Sequence, residues 1–88
     1  MKNYKFIING KVQGVYYRAN VKKNALKSSY NGYVKNLPDG SVEACVSCDE
    51  SRLDDFIAIL QKGSLFSKVI SIEQKTSTQT LTNSFEVR

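Results

Sequence analysis

Tyr33-Val34-Lys35-Asn36-Leu37-Pro38-Asp39-Gly40-Ser41-Val42-Glu43-Ala44-Cys45-Val46-Ser47-Cys48 is the stretch on which the fold of this chain turns. Tyr33 to Asn36 reads as a short strand, and Ser41 to Cys48 as a second one with period-two alternation. Leu37-Pro38-Asp39-Gly40 between them is a turn signal, because proline presets φ and glycine accepts the left-handed region. The stretch therefore predicts a β-hairpin. Val42, Ala44 and Val46 fall on one face of its second strand, with Glu43 and Cys45 on the other.

Toward the C-terminus, Leu53, Phe56, Ile57 and Leu60 stand at i, i+3, i+4 and i+7, the stripe of a helix with one buried face. Ser51 is placed to cap it, Asp54 and Asp55 suit its positive end, and Gly63 marks its stop. After a loop near Ser64 a strand is predicted from about Lys68 to Lys75, with Val69 and Ser71 on one side and Ile70 and Ile72 on the other. Thr76 to Asn83 is polar and turn-like, and Phe85-Glu86-Val87 suits a short final strand. Toward the N-terminus, Asn31-Gly32 ends a helix that runs from Arg18 to about Ser29 on a thin stripe of Val21, Ala25 and Ser28. Before it, Tyr4 to Val12 reads as a first strand interrupted by Gly10. The order β-α-β-β-α-β, with a possible last β, predicts an α+β fold: a ferredoxin-like split β-α-β sandwich. Its antiparallel sheet has four to five strands, and two helices cover one face.

At 88 residues the chain, 1–88, is expected to form a single domain. Its 41% hydrophobic and 24% charged residues exclude a disordered or collagen-like chain. No run approaches the roughly 18 apolar residues of a membrane span, and no secretory block opens the sequence, so a soluble cytoplasmic protein is expected. Histidine is absent and only Cys45 and Cys48 are present, which excludes histidine-activated nucleophiles and leaves the usual structural zinc sets incomplete. Catalysis, if there is any, must then come from Arg, Lys, Asn, carboxylates, hydroxyls or main-chain amides. Charge is unevenly spread. Eight basic residues precede the first acid, Asp39, whereas the rest of the chain holds five basic and eight acidic residues. The N-terminal half should attract anions.

Gly10-Lys11-Val12-Gln13-Gly14-Val15-Tyr16-Tyr17-Arg18 joins the first strand to the first helix. Helix N-termini present unpaired amides and partial positive charge, so this loop can cradle a phosphate. Gly14 permits close approach, the amides of about residues 14 to 18 can converge, and Arg18 adds a permanently charged fork. The same spacing also suits a plain connecting loop.

Val12-Gln13-Gly14-Val15-Tyr16-Tyr17-Arg18 resembles the phosphate loop of the acylphosphatase family, in which Val-Gln-Gly-Val, a variable residue, an aromatic and Arg follow one another. Gly32-Tyr33-Val34-Lys35-Asn36 and Asp39-Gly40-Ser41-Val42-Glu43 resemble two further blocks of that family at the expected distance. The resemblance extends over nearly the whole chain. It implies a small stand-alone hydrolase that cleaves acyl phosphates to a carboxylate and inorganic phosphate. In that reading the loop of Gln13, Gly14, Val15, Tyr16 and Tyr17 binds the substrate phosphate together with Arg18, and Asn36 holds the attacking water. Inorganic phosphate is then a product and competing ligand. No metal, cofactor, covalent intermediate, nucleic acid or membrane partner is implied, and a monomer is expected. The chain departs from the family's usual residues at Gly63-Ser64, where Gly-Pro is common, at Ser28-Ser29, where an apolar residue and Gly are usual, and at Tyr17, where Phe is common.

Cys45-Val46-Ser47-Cys48 has Cys-x-x-Cys spacing but lies on a predicted strand, where residues three apart point to opposite faces, so a disulfide or shared metal is disfavoured. Tyr4, Tyr16, Tyr17, Tyr30 and Tyr33 are expected to pack rather than stack on bases. The rival class for this architecture is an RNA-binding module, which fits the basic charge. Ser41 to Cys48, however, lacks the aromatics such a module places on that strand. A small-ligand regulatory domain of the same architecture stays open on fold alone.

Overall fold

In the computed structural model, which describes residues 2–77 and 83–88, the chain runs β1 (Lys2–Lys11), α1 (Tyr17–Lys27), β2 (Asn31–Asn36) and β3 (Val42–Cys48). A 3-10 turn (Glu50–Arg52), α2 (Leu53–Lys62), β4 (Lys68–Thr76) and β5 (Phe85–Val87) follow. The strands form one sheet in the order β4-β1-β3-β2-β5. The hairpin is antiparallel, with Asn36 opposite Val42 at its closed end, and β1 lies antiparallel between β3 and β4. These four strands give the expected antiparallel sheet. The short β5 joins it at the edge of β2 in parallel, Gly32 opposite Phe85, which makes the five-stranded sheet mixed.

Both helices pack on one face. Val21 and Ala25 from α1 and Leu53, Phe56 and Leu60 from α2 share a core with Phe6, Ile8, Val34, Val42, Ala44, Val46 and Phe85. Phe56 sits at its centre, with the rings of Phe6, Tyr30 and Phe85 within 5.2 to 6.0 Å of its own. Cys48 joins this core, whereas Cys45 is buried on the opposite face, where its sulfur lies 3.1 Å from the Tyr33 hydroxyl. The two cysteines therefore remain thiols, as their spacing on a strand predicts.

Four local expectations are corrected. Ser51 does not cap α2, because the 3-10 turn runs directly into the helix and its own Arg52 amide bonds to Asp49 O. The stripe of α1 is Tyr17, Val21 and Ala25; Ser28 is exposed just past the helix end. Ile70 does not share a side with Ile72, because the β1–β4 register slips between Asn9 and Gly10. That bulge opposes Ser71 to Asn9 and Val69 to Gly10, leaving Ile70 as the unmatched residue, 75% exposed. β4 also extends through Thr76, the first residue of the stretch read as turn-like; the part of that stretch from 78 to 82 lies outside the described residues.

Candidate active site

The loop between β1 and α1 changes backbone hand residue by residue. Gly14 has φ +71° and Tyr16 has φ +62°, while Gln13, Val15 and Tyr17 keep negative φ. Alternation of this kind turns successive N–H groups toward one point and builds an anion-binding nest. Gly14 takes its conformation without penalty, but Tyr16 bears a side chain in a region that costs about 1 kcal/mol or more. Helix α1 starts directly behind the nest, with no acidic residue in its first turn and no side-chain cap, so nothing within the helix offsets its positive end. Among the described residues, no main-chain acceptor takes the amides of residues 13 to 19.

Other elements hold the loop from several sides. The Gln13 side chain leaves it altogether: Nε2 donates to Leu37 O and Ser41 O, each at 2.8 Å, clamping the loop to the β2–β3 turn. The buried Tyr17 hydroxyl donates to Leu60 O at 2.7 Å, and its ring fills the space beside Gly63, where an added Cβ would stand 2.5 Å from it. Burial pushes the Tyr17 phenol well above its ordinary value. The Ser64 hydroxyl donates to Val15 O, and Asn20 Nδ2 donates to Tyr16 O at 2.9 Å.

A depression of about 370 Å³ opens over the loop, lined by Val12, Gly14, Tyr16, Tyr17, Arg18, Ala19 and Val87. The structure thus brings Gly14, Tyr16, Tyr17 and Arg18 together. Val15 does not line it, since its side chain is in the core. The Arg18 guanidinium is steadied from the sheet edge, where Nη1 donates to the main-chain oxygen of Arg88 at 3.2 Å. Arg88 is itself anchored by its amide on Val34 O, and its guanidinium lies 4.1 Å from the Tyr33 ring. Asn36 does not line the depression. It is exposed at the end of β2, one residue before the Leu37 carbonyl that Gln13 grips. Alternation from buried Val34 directs its side chain to the helix-bearing face, the side on which the loop lies.

The tyrosines behave as expected except one: Tyr4, Tyr17, Tyr30 and Tyr33 are buried, but Tyr16 is 73% exposed on the rim. The sequence had not pointed to the supports supplied by Leu60, Ser64 and Arg88. The signal available for Ser64 was its place in Gly63-Ser64, a departure from the family's usual residues.

An α+β sandwich with two helices on one sheet face and an amide-lined loop entering the first helix is the class that this geometry defines. Comparisons with known proteins narrow it. A family model described as Acylphosphatase matches residues 4–87. An acylphosphatase of Methanocella arvoryzae is 39% identical over 88 residues, covering both chains completely. Another, of Aliivibrio fischeri, is 41% identical over 93% of this chain and 92% of its own. The crystal structure of acylphosphatase from Bacillus subtilis superposes with a TM-score of 0.90 at 36% identity, covering 100% of this chain and 99% of that one. The chain belongs to the acylphosphatase family, a family of hydrolases.

Proposed function

We propose that residues 1–88 act as one catalytic unit that hydrolyses the carboxyl–phosphate anhydride of small acyl phosphates. The observation that carries this reading is the nest of alternating φ from Gln13 to Tyr17, opening into the same depression as Arg18. The dianionic phosphate sits on the loop amides and the guanidinium. One charge pair at about 4 Å is worth on the order of 4 kcal/mol at an effective dielectric near 20, so Arg18 dominates binding. Asn36, beside the turn that Gln13 ties to the loop, orients the attacking water; a carboxamide both donates to and accepts from water without titrating.

The water oxygen forms the new P–O bond, and the P–O bond to the acyl group breaks with its electron pair going to the carboxylate. Both water protons finish on the phosphate, so an acyl phosphate dianion and water give a carboxylate and dihydrogen phosphate. No protein base has to keep a proton. The carboxylate is a good leaving group, and positioning with charge stabilisation suffices without a metal or a covalent intermediate. Exposed Tyr16 and Val87 flank the depression and give the acyl part an apolar wall.

Hydrolysis of acetyl phosphate in the presence of a chelator, with inorganic phosphate as competitor, tests the assignment. Arg18→Ala loses phosphate affinity together with turnover. Asn36→Ala keeps competition by phosphate while turnover falls roughly 100- to 1,000-fold. An Asn36→Ala protein with native turnover removes the water-positioning role, and loss of activity to the chelator removes the metal-free mechanism.

A further inference from the structure

We infer that Ser64, on the loop between α2 and β4, is a positioning residue for phosphate binding: its hydroxyl fixes the Val15–Tyr16 peptide so that the Tyr16 amide faces the anion. This rests on the phosphate-loop reading above. Ser64 Oγ donates to Val15 O, and neither residue lines the depression. The depression over the loop is lined by Gly14, Tyr16 and Arg18, whereas Ser64 lines a separate groove between the helices that shares none of its residues.

The consequence follows from peptide geometry. All peptide bonds among the described residues are trans, and a planar trans unit sets its C=O and the following N–H in opposite directions. A carbonyl of Val15 held on Ser64 therefore aims the Tyr16 N–H toward the depression. If that peptide turned over, an acceptor would replace a donor and repel the phosphate. The unit is under load, because Tyr16 carries its side chain at φ +62° and ψ +20°, a region that such residues avoid. The Ser64 hydroxyl is one contact that opposes relaxation there.

A purely structural role for this hydroxyl can be separated from a positioning one. The turn around Ser64 is closed by other atoms: Ser64 N donates to Ser67 Oγ, and Ser67 Oγ donates to Ser64 O, both at 2.9 Å. Ser64→Ala keeps those bonds and removes only the tie to Val15.

The test compares native protein, Ser64→Ala and Ser64→Thr by competition of inorganic phosphate against acetyl phosphate hydrolysis and by the amide NMR signal of Tyr16 during a phosphate titration. In native protein the Tyr16 amide is expected among the signals that phosphate moves furthest. Ser64→Ala should raise the inhibition constant of phosphate and the KM about 5-fold, the worth of one neutral hydrogen bond, with a smaller change in kcat and a reduced Tyr16 shift. Ser64→Thr, which retains the hydroxyl, should restore both. Native phosphate affinity and a native Tyr16 shift in Ser64→Ala overturn the inference while leaving the function intact. A native protein that neither takes up phosphate nor hydrolyses acetyl phosphate defeats the loop reading itself. Should Ser64→Ala fail to fold, a Tyr16 amide in native protein that ignores phosphate still overturns it.

Discussion

Replacing Gln13 by methionine removes two hydrogen bonds while keeping much of the side chain's shape. Nε2 meets Leu37 O and Ser41 O at 2.8 Å in a half-buried position. Neither carbonyl is orphaned by the loss, since Leu37 O still accepts from Gly40 N at 3.2 Å and Ser41 O from Leu37 N at 2.8 Å. The penalty for unsatisfied buried acceptors is therefore avoided. The cost is the net worth of two neutral bonds, about 1 kcal/mol each, or ~2 kcal/mol in all. Urea unfolding should show it as a lowered midpoint at unchanged slope. The kinetic effect should be larger in proportion. Gln13 is the tie between the loop proposed to hold phosphate and the turn next to Asn36, and a misplacement of about 1 Å between reacting groups can cost on the order of 100-fold. Turnover of acetyl phosphate should thus fall roughly 10- to 100-fold, well beyond any loss of phosphate affinity. A Gln13→Met protein that unfolds at the lower midpoint but turns over at the native rate would refute the coupling, and one with a native midpoint would refute the bonds.

Two further outcomes follow from burial and from the rim of the site. Burial raises the Tyr17 and Tyr33 phenols above their usual 10.0 and the Cys45 and Cys48 thiols above their usual 9.0. The unfolded chain then loses these protons first, so stability is full below about pH 9 and declines as pH rises through 9 to 10 and beyond. Urea midpoints at pH 7 and pH 10.5 check this, and Tyr17→Phe should shallow the decline; a flat profile contradicts it. At the rim, a ring such as Tyr16 covering about 50 Å² of an aromatic acyl group is worth ~1 kcal/mol, or roughly fivefold. Tyr16→Asn, whose side chain tolerates the left-handed backbone, should lower the ratio of kcat/KM for benzoyl phosphate over acetyl phosphate by about that factor, and Val87→Ala should lower it less. An unchanged ratio in both variants excludes the apolar wall.

What could be read in the sequence was whatever a short window encodes. The hairpin was legible because Leu37-Pro38-Asp39-Gly40 specifies its own turn, and α2 because Leu53, Phe56, Ile57 and Leu60 repeat at the helical period. The bulge at Ile70 was not legible, since alternation in β4 alone cannot reveal a slip that depends on its pairing with Gly10 of β1. The parallel docking of β5 depends on a partner more than fifty residues away. In the site the same division holds. Gly14 and Arg18 mark a candidate anion loop locally, whereas the Gln13 side chain looks like part of that loop in sequence and in the fold turns its amide to the hairpin. Ser64 and Arg88 reach the site from 49 and 70 residues away, and no window contains those distances.

That division explains where the strain of the site is compensated. A loop with Tyr16 in the left-handed region would relax as an isolated segment, because no bond within residues 13 to 16 opposes relaxation among the described residues. It is held by contacts from separate elements: the β2–β3 turn through Gln13, the end of α2 through Tyr17 and Ser64, and the β5 edge through Arg88 and Arg18. The elements that supply these contacts share the core around Phe56 through Val34 and Val42, Leu60 and Phe85, so the proposed convergence of the amides requires both helices and the far strand to be docked. Core packing and phosphate affinity are then linked. A variant that loosens α2, such as Leu60→Ala, should weaken phosphate binding before it unfolds the chain, whereas equal destabilisation of β4, which supplies none of these contacts, should leave phosphate binding in the folded fraction unaltered.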